Sequence, residues 1–349
     1  MAEYQERRVG TTNLNVSSIG LGTVPLAGFK TKVSYADFER VIDAAYAGGV
    51  RYFDAAPMYG FGKAEYYLGH ALRELGIRGD VLVSTKVGRV LKPESRVAKM
   101  DSVYGIAWVD PLPFRDTYDY TYDGIMRSFE DSQCRLALDR IDVLFVHDLG
   151  RMWHGDANEK YMSQMRASGF RALDELRSSG AVGAVGLGVN ETDSVVEVAR
   201  EFRIDCSLIA GRYTLLNHAP LRGAFDELHE RNVSVFAAGV FNSGILATGT
   251  QGQALTYDYQ NVPAEIVQKV RDIENVCRKH GIELSAAAIQ FVSMHPAVST
   301  VLLGGQNVDE VRQNLHSTHT VAPAAFWDEL KERGLIPQNA PTDVKVGFF

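Results

Sequence analysis

Cysteine is scarce. Cys134, Cys206 and Cys277 are the only three in 349 residues and stand far apart, which excludes a disulfide framework and a cysteine-built metal site and suggests reduced core thiols of a cytoplasmic protein. No apolar run approaches the roughly 20 residues that span a bilayer. The opening MAEYQERRVG is polar and lacks the apolar middle of a secretory leader. Positive charge is in deficit, 36 Lys and Arg against 43 Asp and Glu for a net −7, which argues against nucleic acid or an anionic membrane as partner. No GxGxxG follows the first strand-like run, so GLGTVPLAG is not a Rossmann dinucleotide fingerprint. A metal-dependent hydrolase would need clustered ligands at several strand ends, and His147 is the one histidine in such a place. No Pro- or Ser-rich linker divides the chain, and residues 1–349 are expected to form a single domain.

What is present is alternation. Short β-branched runs at 18–23, 50–55, 81–86, 141–147, 182–188, 206–210, 233–238 and 298–304 read as strands. Amphipathic stretches near 35–48, 64–76, 121–138, 163–179, 191–202, 219–231, 262–280 and 307–315 read as helices, with a last one at about 323–334. Eight strand–helix units are the count of a (β/α)8 TIM barrel. RRVGTTNLNVSSIG predicts an N-terminal β-hairpin under the barrel floor. Three connections are long: 87–121, with Tyr104, Trp108, Phe114, Tyr118 and Tyr120; 148–162, with Trp153; and the strand-seven loop, Gly-rich at its start. All follow C-terminal strand ends, the face on which barrel enzymes build their sites.

Four polar residues mark that face. Asp54 ends strand two, Lys86 ends strand three, His147 ends strand four, and Tyr59 lies five residues past Asp54. Strand alternation places Val50, Tyr52 and Asp54 on one face, Leu82, Ser84 and Lys86 on another, and Ile141, Val143, Phe145 and His147 on a third. If those faces point inward, the polar ends meet at the barrel mouth. A free phenol, with a pKa of about 10, exchanges protons poorly near neutrality. A neighbouring ammonium favours its ionised form, and an aspartate holds that ammonium in place. Tyr59 is then a tuned acid/base and His147 a donor that orients a substrate oxygen.

With these residues, the pieces GLGT (20–23), GVRYFDAAPMYG (49–60), AEYYLGHAL (64–72), VSTKVG (83–88), IDVLFVHD (141–148), LGVN (187–190), RYTLL (212–216) and GGQNVDEVRQN (304–314) resemble the aldo-keto reductases. That family comprises nicotinamide-dependent barrel enzymes with an Asp–Tyr–Lys–His tetrad. The resemblance puts the tetrad on Asp54, Tyr59, Lys86 and His147. It lays an extended dinucleotide across the mouth, with Asn190 at the carboxamide and Thr23 and Asp54 nearby. The diphosphate would sit against Gly239, Val240, Phe241, Asn242, Ser243 and Gly244, with Gly304, Gly305, Gln313 and Asn314 completing the cofactor site. The sequence departs from the family pattern in having Ala210 where a Gln is common after strand six and Ala238 where a Tyr commonly stacks on nicotinamide. After strand eight the usual cations for a 2′-phosphate give way to GGQNVDE, with Asp309 and Glu310. NAD is therefore expected over NADP, with Arg312 the one cation nearby.

Within the family the motifs resemble the branch of aldose 1-dehydrogenases and pyridoxal 4-dehydrogenases, whose substrates are cyclic hemiacetals and whose products are lactones. The expected substrate is an aldose such as L-fucose or D-arabinose, oxidised at the anomeric carbon; pyridoxal is the alternative. A nicotinamide-binding sensor with little turnover is a further reading. Tyr59, His147, Trp108 and Trp153 are the expected substrate contacts, although either tryptophan would equally serve to pack its loop.

Overall fold

In a computed structural model, residues 4–94, 102–103, 106–252, 255–343 and 348 are described; Tyr104 lies outside them. Strands Ile19–Gly22, Tyr52–Asp54, Leu82–Val87, Ile141–His147, Val182–Val189, Cys206–Ala210, Ser234–Ala238 and Val298–Leu303 close into an eight-stranded barrel. Every strand pairs in parallel with its sequence neighbour, and the last pairs with the first. They are strands one to eight below, and each falls within two residues of its predicted span.

Two cores follow from the alternation of side chains. Tyr52, Val143, Phe145, Ala184, Cys206, Leu208, Phe236 and Leu302 fill the barrel. The hairpin Glu6–Arg8 and Asn15–Ser17 closes its floor by adding Val9 and Val16 to that cluster. Outward-facing residues such as Phe53, Val83 and Leu144 pack under the helices. Val50 and Ile141, expected on the inward faces, join this outer layer instead. Cys134 departs from the core expectation, being exposed on the helix Tyr122–Leu136.

The short helices Arg151–His154 and Ile245–Thr248 and the longer Leu284–Ser293 were not predicted. Leu284–Ser293 lies between the seventh and eighth strands, and every residue but half-buried Leu284 is buried, so no polar face reveals its 3.6-residue period. The connection beyond strand three is also more ordered than a loop. Arg89–Pro93 pairs antiparallel with Phe114–Tyr118, giving a ribbon that stands on the mouth.

The floor carries a pH-dependent stability term. His295 is 3% exposed, and burial holds it down at about 4. The unfolded chain takes up this proton below pH 6.5, the folded chain only near 4. The contribution is therefore complete above 6.5 and lost as pH falls through 4, about 3 kcal/mol in all. Denaturant midpoints at pH 7, 5 and 4 should fall in step, and His295→Gln should lessen that fall, with His147, His154 and His218 supplying the remainder. An unchanged slope in the variant would rule out His295 as its source.

Candidate active site

The polar strand ends do meet. Lys86 Nζ donates to both Asp54 carboxylate oxygens, at 2.9 and 2.7 Å, and to the Ala55 carbonyl at 2.9 Å. All three ammonium protons are thereby engaged. The pair is secluded, Lys86 1% and Asp54 3% exposed. Ser84 Oγ donates to Asp54 Oδ1 at 2.7 Å. Since a hydroxyl has one proton, Ser84 must accept from the Tyr52 hydroxyl, 2.7 Å away. Burial pushes the Asp54 carboxyl up, and Lys86 draws it back.

Tyr59 is thrown over this pair by a reversal in which Gly60, Phe61 and Gly62 all have positive φ, 62°, 54° and 96°. A side chain at Gly60 would place its Cβ 2.5 Å from the Ala27 carbonyl, so glycine is required there. Lys86 Nζ lies 4.7 Å from the Tyr59 ring centre, and the His147 ring stands edge-on to it with centroids 6.0 Å apart. The Tyr59 hydroxyl makes no hydrogen bond among the described residues, which leaves it for a ligand.

The charge state differs from the sequence expectation. Burial pushes the Tyr59 phenol well above its ordinary range; Asp54, Asp148 and Tyr259 add to this and Arg89 opposes it. The ammonium of Lys86 does not win because Asp54 already balances it. Burial, then Arg89 and Lys86, hold His147 well below 6.5. At neutral pH the site presents a protonated phenol and a neutral imidazole.

Beside these groups opens a cavity of about 690 Å³, within the range of small-molecule sites. Asp54, Tyr59, His147, Trp108, Trp153, Asn190, Gly239, Val240, Phe241, Ser243, Gly244, Gly304, Gly305, Gln313 and Asn314 line it. Lys86 stands behind Asp54. Two expected cofactor residues do not reach the cavity. Thr23 is buried with its hydroxyl donating to the Asp54 carbonyl at 2.8 Å; its neighbours Gly22 and Val24 form the wall. Asn242 is buried in the turn at φ 46° and does not line the cavity.

The walls come from the long connections. Trp108 meets Phe29 through a backbone bridge and an edge-on ring contact at 5.8 Å. Trp153, on the short helix Arg151–His154, donates its indole N–H to the Tyr118 hydroxyl. Between the Tyr118 and Trp153 rings, 4.5 and 4.9 Å from each, lies the Arg89 guanidinium. Arg89 binds Asp116 and donates to Asp148 Oδ2 at 2.6 Å. Arg89 and Asp148 are functional-site candidates that sequence reasoning missed. Both are charged residues just past an apolar strand, the same signal that picked out Lys86 and His147. Lys30, Phe29 and Tyr259 also line the cavity unannounced. Arg312, the cation expected near strand eight, is exposed and does not line it.

A nicotinamide dinucleotide fits these residues. Ala210 and Ala238 leave an open floor between Asn190 and the Gly304–Gly305 end, and Tyr259 enters from the strand-seven loop on a hairpin whose tip, Asp258–Tyr259, has φ of 46° and 64°. Asn190 Nδ2 is oriented by the Ala210 carbonyl at 3.2 Å and Asn314 Nδ2 by that of Gly304 at 2.9 Å.

A closed parallel eight-stranded barrel with a cavity at its mouth is the frame of an enzyme of oxidation and reduction. The chain belongs to the aldo/keto reductase family, whose model matches residues 18–334, and its members use nicotinamide cofactors. A pyridoxal 4-dehydrogenase from Microbacterium luteolum is 41% identical over 340 residues, covering 95% of this chain and 98% of that one. A D-threo-aldose 1-dehydrogenase from a Pseudomonas species is 35% identical over 334 residues, again covering 95% and 98%. Among solved structures, the holo form of an aldo-keto reductase from Bacillus halodurans shares the fold, with a TM-score of 0.74 at 22% identity over 98% of each chain.

Proposed function

We propose that the protein oxidises a cyclic hemiacetal to a lactone with NAD, and that the hemiacetal is flat and aromatic, of the pyridoxal kind. The observation that carries this reading is the wall around Tyr59 and His147. Trp108, Phe29, Met58 and Trp153 offer rings and apolar edges. An aldose would bring several hydroxyls into that wall, each needing a partner to avoid a desolvation penalty. The greater identity to the pyridoxal enzyme supports the same choice. The aldose expected from sequence becomes the second reading, favoured by the 35% relative.

The bound nicotinamide would supply the hydride acceptor. The ionised fraction of Tyr59, its own proton already given up to solvent, takes the hydroxyl proton of the substrate, and neutral His147 orients the same oxygen. Lys86 and Asp54 form the fixed base on which the phenol rests. Asn190 holds the carboxamide, and Tyr259 takes the covering role that Ala238 cannot fill. Glu310 supports NAD over NADP. Its carboxylate lines the trough and is fixed there by the Gln306 N–H at 2.9 Å and Asn307 Nδ2 at 3.0 Å. A 2′-phosphate would meet that charge, whereas a ribose hydroxyl can donate to it.

The test is initial rates with NAD⁺ and NADP⁺ against pyridoxal, L-fucose and D-arabinose, followed by nicotinamide absorbance. NAD⁺ should exceed NADP⁺ by at least about tenfold, the scale of one charge-assisted contact, and pyridoxal should exceed both sugars. Faster sugars would transfer the assignment to the aldose. Cofactor binding without turnover of any of the three would leave only the sensor reading.

A further inference from the structure

We infer that Asp148 reads a hydrogen-bond donor on the substrate beside the oxygen handled by Tyr59 and His147, and so decides which hemiacetals are accepted. The inference rests on the hemiacetal reading above and adds to it a residue outside the tetrad.

Four observations support it. Asp148 follows His147 directly and adopts φ 54°, a left-handed conformation that aspartate tolerates better than most residues. That turn brings its carboxylate to the cavity wall, where it is only 6% exposed. The carboxylate is rigidly held. Oδ2 accepts from Arg89 Nη2 at 2.6 Å and lies 3.4 Å from His147 Nε2, and Arg89 is itself clamped by Asp116 and the Tyr118 and Trp153 rings. The other oxygen, Oδ1, accepts no hydrogen bond among the described residues.

A fixed acceptor with one open oxygen, set in a largely aromatic wall, calls for a donor from the ligand. Once a bound substrate excludes water from the cavity, leaving that oxygen unmatched is costly, so a substrate without the donor is penalised rather than merely bound less well. The donor is an O–H or a protonated ring N–H near the reacting carbon. Pyridoxal carries a phenol and a pyridine nitrogen; an aldose carries a hydroxyl on the carbon next to the anomeric one.

The decisive measurement is a ratio of kcat/KM between pyridoxal and 1,3-dihydroisobenzofuran-1-ol, a bicyclic hemiacetal lacking both the phenol and the ring nitrogen. It is taken with NAD⁺ in the full-length protein and in Asp148→Asn and Asp148→Ala. The ratio should favour pyridoxal in the wild type and fall about 10- to 100-fold in the variants. Asp148→Asn keeps an acceptor for Arg89 and so reports even if the alanine variant does not fold. 3-Deoxypyridoxal, which keeps the ring nitrogen without the phenol, separates the two donors: selectivity is lost if the phenol is read and kept if the nitrogen is. Should only sugars turn over, the same ratio is read between L-fucose and its 2-deoxy analogue. An unchanged ratio, with both substrates falling together, would mean that Asp148 is merely structural and overturn the inference. A wild type that oxidises none of these hemiacetals would instead defeat the functional reading itself.

Discussion

Tyr59→Phe is expected to lower turnover by about 10²- to 10⁴-fold, the usual worth of a positioned acid/base. Cofactor binding and the melting temperature should stay close to those of the wild type. The ring remains in contact with Lys86, Trp108 and His147, and the lost hydroxyl leaves no protein partner unsatisfied among the described residues. The pH profile gives a second readout. Because burial and the carboxylates hold the phenol protonated, hemiacetal oxidation by the wild type should accelerate with pH from neutrality upward. Whatever rate the phenylalanine variant retains should lose that rise. Near-normal turnover in Tyr59→Phe would remove Tyr59 from the reaction.

Lys86→Met should damage the protein itself. Its ammonium makes three hydrogen bonds in a place with almost no water, and removing one member of a buried pair costs about 3–5 kcal/mol because the other charge is stranded. Asp54, already pushed up by burial, would then take a proton, and the mouth would lose the group on which Tyr59 rests. Chemical denaturation should show the loss of stability and kinetics the loss of turnover. The double variant Asp54→Asn/Lys86→Met separates the two effects, since it carries no stranded charge. Stability should largely return while activity does not. Recovery of both would mean that the pair serves folding alone.

The barrel was legible because its strands are short apolar runs with polar punctuation, and the tetrad because three of its members close such runs. Leu284–Ser293 was illegible for the converse reason, being enclosed on nearly every side with no solvent-facing polar stripe. The ribbon of Arg89–Pro93 and Phe114–Tyr118 hid in a stretch whose aromatic and charged residues alternate too irregularly to read as strands. Tyr259 and Asp148 reach the cavity from left-handed backbone positions, which periodicity does not register. The protonation of Tyr59 also escaped the sequence. It depends on how much water the folded walls exclude and on Asp148, and neither can be read from strand order.

Gly88 turns at φ 93° with the Tyr120 ring where a Cβ would sit, 2.4 Å away, and this turn sends Arg89 back into the mouth instead of out along the strand. Asp54, Lys86 and His147 stand on barrel strands whose spacing the whole fold enforces, whereas Arg89, Asp116, Tyr118 and Trp153 belong to appendages. The ribbon can therefore be altered without moving the strand ends that carry Asp54, Lys86 and His147. The cavity's aromatic wall and its proton-bearing floor are thus separable parts, one hung on the barrel and the other made of it.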